Sequence, residues 1–97
     1  MNDVKMDFES GRRLEMTRDE VLDIIVDHTK SVIPALKTHV FSESDQLKAL
    51  GANSLDRSDI VEMSMTSLNV NIPRVEIFGT KNIGELADLL YNKINDA

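Results

Sequence analysis

Ser54 is the residue whose type and position best suit chemistry. It stands where a long loop meets a predicted helix, after Gly-Ala-Asn (51–53) and before Leu-Asp-Arg (55–57). A phosphodiester on a serine at such a junction would lie over the unpaired amides of the first helical turn, where negative charge is favoured. Serine is also a common N-cap residue, so a purely structural role explains the same position.

Two histidines are the bases that a serine nucleophile could use. His28 lies near the polar face of a predicted helix and His39 in a loop, and neither has a spacing from Ser54 that fixes a catalytic triad. The chain has no cysteine, which excludes a thiolate nucleophile and a Cys-based zinc site. The sequence therefore predicts no catalytic residue, no metal site and a protein that is not an enzyme.

Composition narrows the class of partner. The 97 residues include 11 Lys plus Arg against 17 Asp plus Glu, a net charge of −6. Such a charge repels the nucleic-acid backbone, so a nucleic-acid partner is not expected. No apolar run approaches the ~20 residues of a membrane span, and the N-terminus lacks the apolar run of a signal peptide. We expect a small cytoplasmic protein without a membrane partner.

The pattern of caps and apolar stripes predicts an all-α domain over residues 17–97, after a flexible leader over residues 1–16. A Thr17–Glu20 capping box begins the first helix and Pro34 ends it. The second helix begins at Asn53 or Ser54 and ends near Leu68. A short third helix is predicted over 73–78 and a fourth from Asn82, with a second Asn82–Glu85 capping pair. The connection over 35–53 is long enough that we expect short helical turns inside it.

Each long helix has an apolar stripe, and a four-helix bundle with a short third helix buries all of them economically. The predicted inward residues are Leu22, Ile25, Val26, Thr29, Val32 and Ile33 in the first helix, Ile60, Val61, Ser64, Met65 and Leu68 in the second, and Ile83, Leu86, Ala87, Leu90 and Ile94 in the last.

The residues around Ser54 resemble the acyl carrier proteins, whose mark is Asp-Ser-Leu at the start of the second helix of a four-helix bundle. This chain has Asn53-Ser54-Leu55. Leu-Gly (50–51), Ile-Val (60–61), Ile-Pro (72–73) and Thr-Lys-Asn-Ile-Gly-Glu-Leu (80–86) extend the resemblance over about residues 17–94.

The resemblance implies that a magnesium-dependent phosphopantetheinyl transferase esterifies Ser54 with 4′-phosphopantetheine from coenzyme A. The arm's thiol would then carry an acyl thioester, which is consistent with a cysteine-free chain. Asn53 departs from the family's Asp but remains able to cap a helix. We expect modification to be slower than in an Asn53→Asp protein, while neutral exchange at a cap is the alternative.

The resemblance also implies docking of partners around the modified serine. The candidate docking residues are Leu55, Asp56, Arg57, Ser58, Asp59, Glu62 and Arg74. A solvated helix face explains their charges equally well. Met63 and Met65, with Ile60 and Val61, could line a groove for an acyl chain, and plain core packing is the alternative.

A narrower resemblance joins Asn-Ile-Pro-Arg-Val-Glu (71–76), the segment 81–89 and the Ser54…Arg57 spacing to the free-standing donor acyl carrier proteins of polyketide β-branching cassettes. It implies a monomeric donor that an acyltransferase loads with malonyl and a decarboxylating ketosynthase homologue converts to the acetyl form. An HMG-CoA-synthase-like enzyme would then use the acetyl group. A fatty-acid or peptidyl carrier, and a helical adaptor that is never modified, remain alternatives.

Overall fold

The computed structural model describes residues 16–96, and this part of the chain is all-helical. Its elements are α1 (Arg18–Val32), a 3-10 turn (Pro34–Leu36), α2 (Ser54–Leu68), α3 (Arg74–Ile77) and α4 (Ile83–Asn95), with no strand among the described residues. The predicted all-α fold with a short third helix is confirmed. Apart from Met16, the predicted leader lies outside the described residues.

The predicted starts of the three long helices are correct, and the caps explain them. Pro73, predicted as the first residue of the short helix, is instead its N-cap, and α3 begins at Arg74. The Thr17 side chain accepts from the amide of Glu20 at 3.1 Å, and the Glu20 carboxylate accepts from the amide of Thr17 at 2.8 Å. At α4 the Asn82 side chain accepts from the amide of Glu85. The Glu85 carboxylate accepts instead from the amide of Lys81 at 2.9 Å, so the predicted reciprocal pair is only half formed.

The core lies where α1 packs against both α2 and α4. Its buried apolar residues are Val21, Ile25, Ile60, Ile72, Ile77, Ile83, Leu86, Ala87 and Leu90. The prediction for α1 is confirmed at Ile25 and Thr29, which are fully buried, but it missed Val21, which is fully buried as well. The predicted Leu22, Val26 and Val32 are only partly buried and pack against this core.

Two polar residues are fully buried without leaving an unpaired group. The hydroxyl of Thr29 donates to the carbonyl of Ile25 at 2.7 Å, and the hydroxyl of Ser64 donates to the carbonyl of Ile60 at 2.8 Å. A buried hydroxyl whose hydrogen bond is made within its own helix does not carry the cost of an unsatisfied donor. The predicted inward position of Ser64 is therefore compatible with an otherwise apolar core.

The long connection is fastened to the start of α4. The amides of Ile83 and Gly84 donate to the carbonyls of Asp45 and Glu43, at 3.0 and 2.9 Å. Arg18 donates two hydrogen bonds to the Glu43 carboxylate at 3.0 and 2.8 Å. These bonds lower the pKa of Glu43. These contacts fix the part of the connection around residues 43–45, which we call the wall, against α1 and α4.

Arg18 also joins this wall to α4 directly. It donates to the carboxylate of Asp88 and to the carbonyl of Gly84, the latter at 3.1 Å. A side chain on residue 84 would be crowded, because a Cβ there would lie 3.0 Å from both the Cβ and the carbonyl oxygen of Glu43, so Glu43 would have to move. Glycine is needed here for close approach.

Candidate functional site

Ser54 occupies the first helical position of α2, with its side chain exposed. Asn53 is the N-cap: its side chain accepts from the amide of Asp56 at 2.8 Å, and the Asp56 carboxylate accepts from the amide of Asn53 at 3.2 Å. Within residues 16–96 the Ser54 hydroxyl has no hydrogen-bond partner. The N-cap role that could have explained Ser54 therefore belongs to its neighbour.

A tight turn delivers the chain to Ser54. Gly51 has φ +103°, a conformation that residues with a Cβ rarely adopt. The amide of Ala52 then donates to the carbonyl of Leu47 at 3.0 Å, and the Ala52 side chain is buried. Arg57, half-buried on α2, donates to the carbonyl of Ala52 at 2.9 Å and so holds the turn against the helix. The position of Ser54 is fixed from both sides.

Neither histidine serves Ser54. His28 is 2.8 Å from the Ser67 hydroxyl, and His39 is 3.0 Å from the Asp45 carboxylate. Both contacts are structural, and the Ser42 amide together with His39 lowers the pKa of Asp45. Residues 16–96 also contain no cluster of His, Asp and Glu side chains able to hold a metal ion. Within residues 16–96 the Ser54 hydroxyl is exposed, and neither histidine is placed to activate it.

A groove of about 760 Å³ opens beside Ser54, within the ~300–1,000 Å³ typical of small-molecule sites. Its walls come from α2, α3, the start of α4 and the long connection. Apolar side chains at its base are Leu47, Val61, Ile77, Ile83 and Leu86.

The predicted groove lining was correct only for Val61. Met63 and Met65 do not line the groove. Met65 packs against the core, where its sulfur accepts from the amide of Ile72 at 3.4 Å, and Ile60 is fully buried. Core packing, the alternative considered for these side chains, therefore describes Met65 and Ile60.

The predicted docking residues divide by their contacts. Arg74 donates to the Ser58 hydroxyl at 2.8 Å and pairs with the Glu62 carboxylate at 3.1 Å, which links α3 to α2. Asp56 belongs to the capping box and Arg57 to the turn. Leu55, 70% exposed, and Asp59 have no hydrogen bond or ion pair in the described part of the chain.

Sequence reasoning missed two exposed apolar side chains, one on α3 and one on the residue that follows it. Val75 is 76% and Phe78 74% exposed, while Ile77 between them is buried. A helix of one turn can bury only one of its sides. Apolar residues both before and after Ile77 therefore indicated that some of these side chains are exposed. Phe78 and Leu55 both border the groove. They extend the apolar surface around Ser54 onto α3.

Comparison with known proteins gives two similarities. The chain is 42% identical over 82 residues to the polyketide biosynthesis acyl-carrier-protein AcpK of Bacillus subtilis (strain 168), across 84% of this chain and 100% of that one. It is also similar to a chain in the crystal structure of the curacin biosynthetic pathway HMG synthase in complex with acetyl donor-ACP. The TM-score is 0.76 at 45% identity, over 80% of this chain and 100% of that one. No family model matches the chain, and no helix within residues 16–96 is long and apolar enough to cross a bilayer.

Proposed function

The chain belongs to the acyl carrier protein family, and on that premise we propose that it carries an acyl thioester on a 4′-phosphopantetheine arm at Ser54 and donates acetyl in polyketide β-branching. The observation that carries the proposal is the cap: Asn53, not Ser54, satisfies the start of α2. The Ser54 hydroxyl is left exposed and available as an acceptor.

The residues present fit the arm. A phosphodiester on Ser54 would lie at the N-terminus of a helix of 15 residues, whose unpaired amides and dipole favour an anion. The groove next to Ser54 offers room and an apolar base. The arm supplies a thiol, which the cysteine-free chain lacks. Ser54 is thus both a suitable attachment point and close to a place where a cargo can rest.

The chain's part in attachment is that of an acceptor. The Ser54 oxygen bonds to the phosphorus that bears pantetheine, the phosphoanhydride bond of coenzyme A breaks, and the nucleotide half leaves. In this proposal the hydroxyl proton passes to a base of the transferase, since the contacts of both histidines of this chain are with residues other than Ser54. The chain binds and presents, while its partners catalyse.

Support for the donor role comes from the two similar proteins, one of polyketide biosynthesis and one an acetyl donor-ACP in complex with an HMG synthase. The proposed partners are a phosphopantetheinyl transferase, an acyltransferase, a decarboxylating ketosynthase homologue and an HMG-CoA-synthase-like enzyme. Leu55 and Phe78, exposed and bordering the same groove, are apolar side chains suited to docking, and Val75 adds a third exposed apolar side chain, on α3. Asp59, one turn after Leu55 on α2, is exposed and has no ion pair among residues 16–96. A monomer located in the cytoplasm is part of the proposal.

A sequential mass measurement tests the donor role. The chain bearing a malonyl thioester is incubated with the decarboxylating partner and then with the synthase and a β-ketoacyl acceptor on another carrier. We expect the mass to fall first by carbon dioxide and then by the acetyl group, which leaves a free thiol. A chain that accepts the arm but keeps acetyl in the presence of synthase and acceptor would contradict the donor role and favour a fatty-acid or peptidyl carrier.

A further inference from the structure

The groove beside Ser54 has a charge opposite to that of the chain. The sequence holds 17 Asp plus Glu against 11 Lys plus Arg. Among residues 16–96, four cationic residues nevertheless line the groove and no Asp or Glu does. The four are Lys48, Arg57, Arg74 and Lys81. A local inversion of charge in an acidic protein concentrates anions at that place.

The cations differ in how free they are. Glu62 partly neutralises Arg74, and the carbonyl of Ala52 occupies part of the Arg57 guanidinium. The side-chain amines of Lys48 and Lys81 have no carboxylate within 4.0 Å among residues 16–96. Lys48 comes from the long connection and Lys81 from the segment before α4, so the two reach the groove from different segments. They are the groove's main unneutralised charges.

We call the four cationic residues the rim of the groove. The rim and the apolar base suit different parts of one ligand. The base is apolar, and an anion lying over it loses water, which is costly unless cations compensate. Cations at the rim supply that compensation, and they interact more strongly with an anion there than in bulk water. A short acyl chain that ends in a carboxylate matches both features, whereas a neutral acyl group matches only the base.

We propose that Lys48 and Lys81, assisted by Arg57 and Arg74, hold a carboxylate-terminated acyl cargo of the malonyl class in this groove. The inference rests on the proposed arm at Ser54. Loss of the carboxylate as carbon dioxide, with a proton taken up by the remaining carbon, leaves an acetyl group that the rim does not hold. Decarboxylation by the partner therefore releases the cargo from the groove, so that the next enzyme can bind the acetyl group.

The direction in which the pKa of the malonyl carboxylate shifts on the protein tests this proposal. The chain is loaded at Ser54 with malonyl carrying a ¹³C-labelled carboxylate, and the carboxylate is titrated by NMR beside free malonyl-pantetheine. A carboxylate that meets only the acidic surface would have its pKa raised. We expect the pKa to be lowered by about 0.5 unit or more, because opposite charges within ~4–6 Å favour the ionised form.

Matched variants assign the effect. The double variant Lys48→Gln/Lys81→Gln should lose most of the lowering. Lys37→Gln/Lys93→Gln removes the same charge away from the groove and should retain it. An acetoacetyl cargo, which is neutral and of similar length, should perturb the groove amides in NMR spectra less than malonyl does. A wild-type pKa equal to or above that of free malonyl-pantetheine would overturn the proposal, as would equal losses in the two double variants.

The experiment distinguishes failure of the proposed function, in which Ser54 is not modified, from failure of the groove proposal, in which the carboxylate is not bound. The intact mass of each sample shows whether Ser54 carries the arm, and its absence contradicts the proposed function. The groove is then tested on the unmodified chain by titration with malonyl-pantetheine amide and acetoacetyl-pantetheine amide. If the malonyl probe binds more tightly than the acetoacetyl probe, and this difference is lost in Lys48→Gln/Lys81→Gln, the result supports binding of the carboxylate by the rim. Equal affinities would overturn it.

Discussion

Substitution of Gly84 by alanine is expected to loosen the wall that bounds the groove. The added Cβ would lie 3.0 Å from the Glu43 carbonyl oxygen, a backbone atom that the hydrogen bond from the Gly84 amide holds in place. Relief therefore requires the long connection to move away from α4. The same movement would strain the hydrogen bonds between Arg18 and the Glu43 carboxylate.

Two opposing contributions set the change in the free energy of unfolding: crowding of the added Cβ and the higher helix propensity of alanine. Overpacking of this kind costs roughly 1–3 kcal/mol. Alanine in place of glycine in a helix returns at most about 1 kcal/mol, and less at the second position of α4. The free energy of unfolding of Gly84→Ala should therefore fall by about 1–2 kcal/mol. With a urea m-value of about 1 kcal/mol/M for a small domain, the unfolding midpoint should fall by about 1–2 M.

Two other glycines are internal controls for the urea unfolding assay. A Cβ on Gly79 would meet only the carbonyl oxygen of Glu76 at 3.4 Å, an ordinary contact, so Gly79→Ala should change the free energy of unfolding by no more than about 0.5 kcal/mol. Gly51→Ala adds a Cβ in open space but at φ +103°, and should cost about 1–2 kcal/mol through backbone strain alone. A Gly84→Ala midpoint at or above that of the wild type would refute the close-approach argument.

Three further predictions concern the site and its surroundings. Asn53→Asp should keep the cap, with a change of no more than about 0.5 kcal/mol in the free energy of unfolding, and should speed phosphopantetheinylation, followed by intact mass over time. The lowered pKa of Asp45 stabilises the fold above the carboxyl pKa of the unfolded chain, and this stabilisation is lost as pH falls through the folded pKa. Asp45→Asn should therefore lower stability at neutral pH and flatten the acid limb of a stability–pH curve. Leu55→Ala and Phe78→Ala should each weaken binding to an HMG-CoA-synthase-like partner by about fivefold or more, measured by calorimetry.

Each of these has a contradicting result. Equal modification rates for the two residues at position 53 would make the exchange of Asp for Asn neutral. Acid limbs of equal slope in wild type and Asp45→Asn would remove the role of the Ser42 amide and His39. Unchanged affinity in Leu55→Ala, Phe78→Ala and their double variant would place docking elsewhere.

Local signals in the sequence predicted the helices well, because caps act within one turn. The side chains of Thr17 and Glu20 bond to backbone amides three residues away, so their spacing along the chain directly predicts the capping box. At α2 the cap at Asn53 or Ser54 was predicted, but not that Asp56 completes a capping box with Asn53. The predicted stripe of α1 began at Leu22 and omitted Val21, because the two residues are both apolar and adjacent. Only packing against α2 and α4 makes Val21 the buried one.

Contacts between distant residues could not be predicted in this way. Arg18 meets Glu43 and Asp88 across 25 and 70 positions of sequence, and no local pattern encodes such a pairing. The same reason explains the misplaced groove. Its lining combines residues of α2 with residues of α3, α4 and the long connection, so that it includes Phe78 but not Met63.

The central claim, that Ser54 carries the arm, is tested most directly by intact mass after incubation with coenzyme A, magnesium and a broad-specificity phosphopantetheinyl transferase. Ser54→Ala removes the acceptor, and Ser58→Ala, one turn further along α2, is the matched control. We predict one added phosphopantetheine on the wild type and on Ser58→Ala, and none on Ser54→Ala. Addition to Ser54→Ala, or no addition to either the wild type or Asn53→Asp, would contradict the account and favour an unmodified helical adaptor.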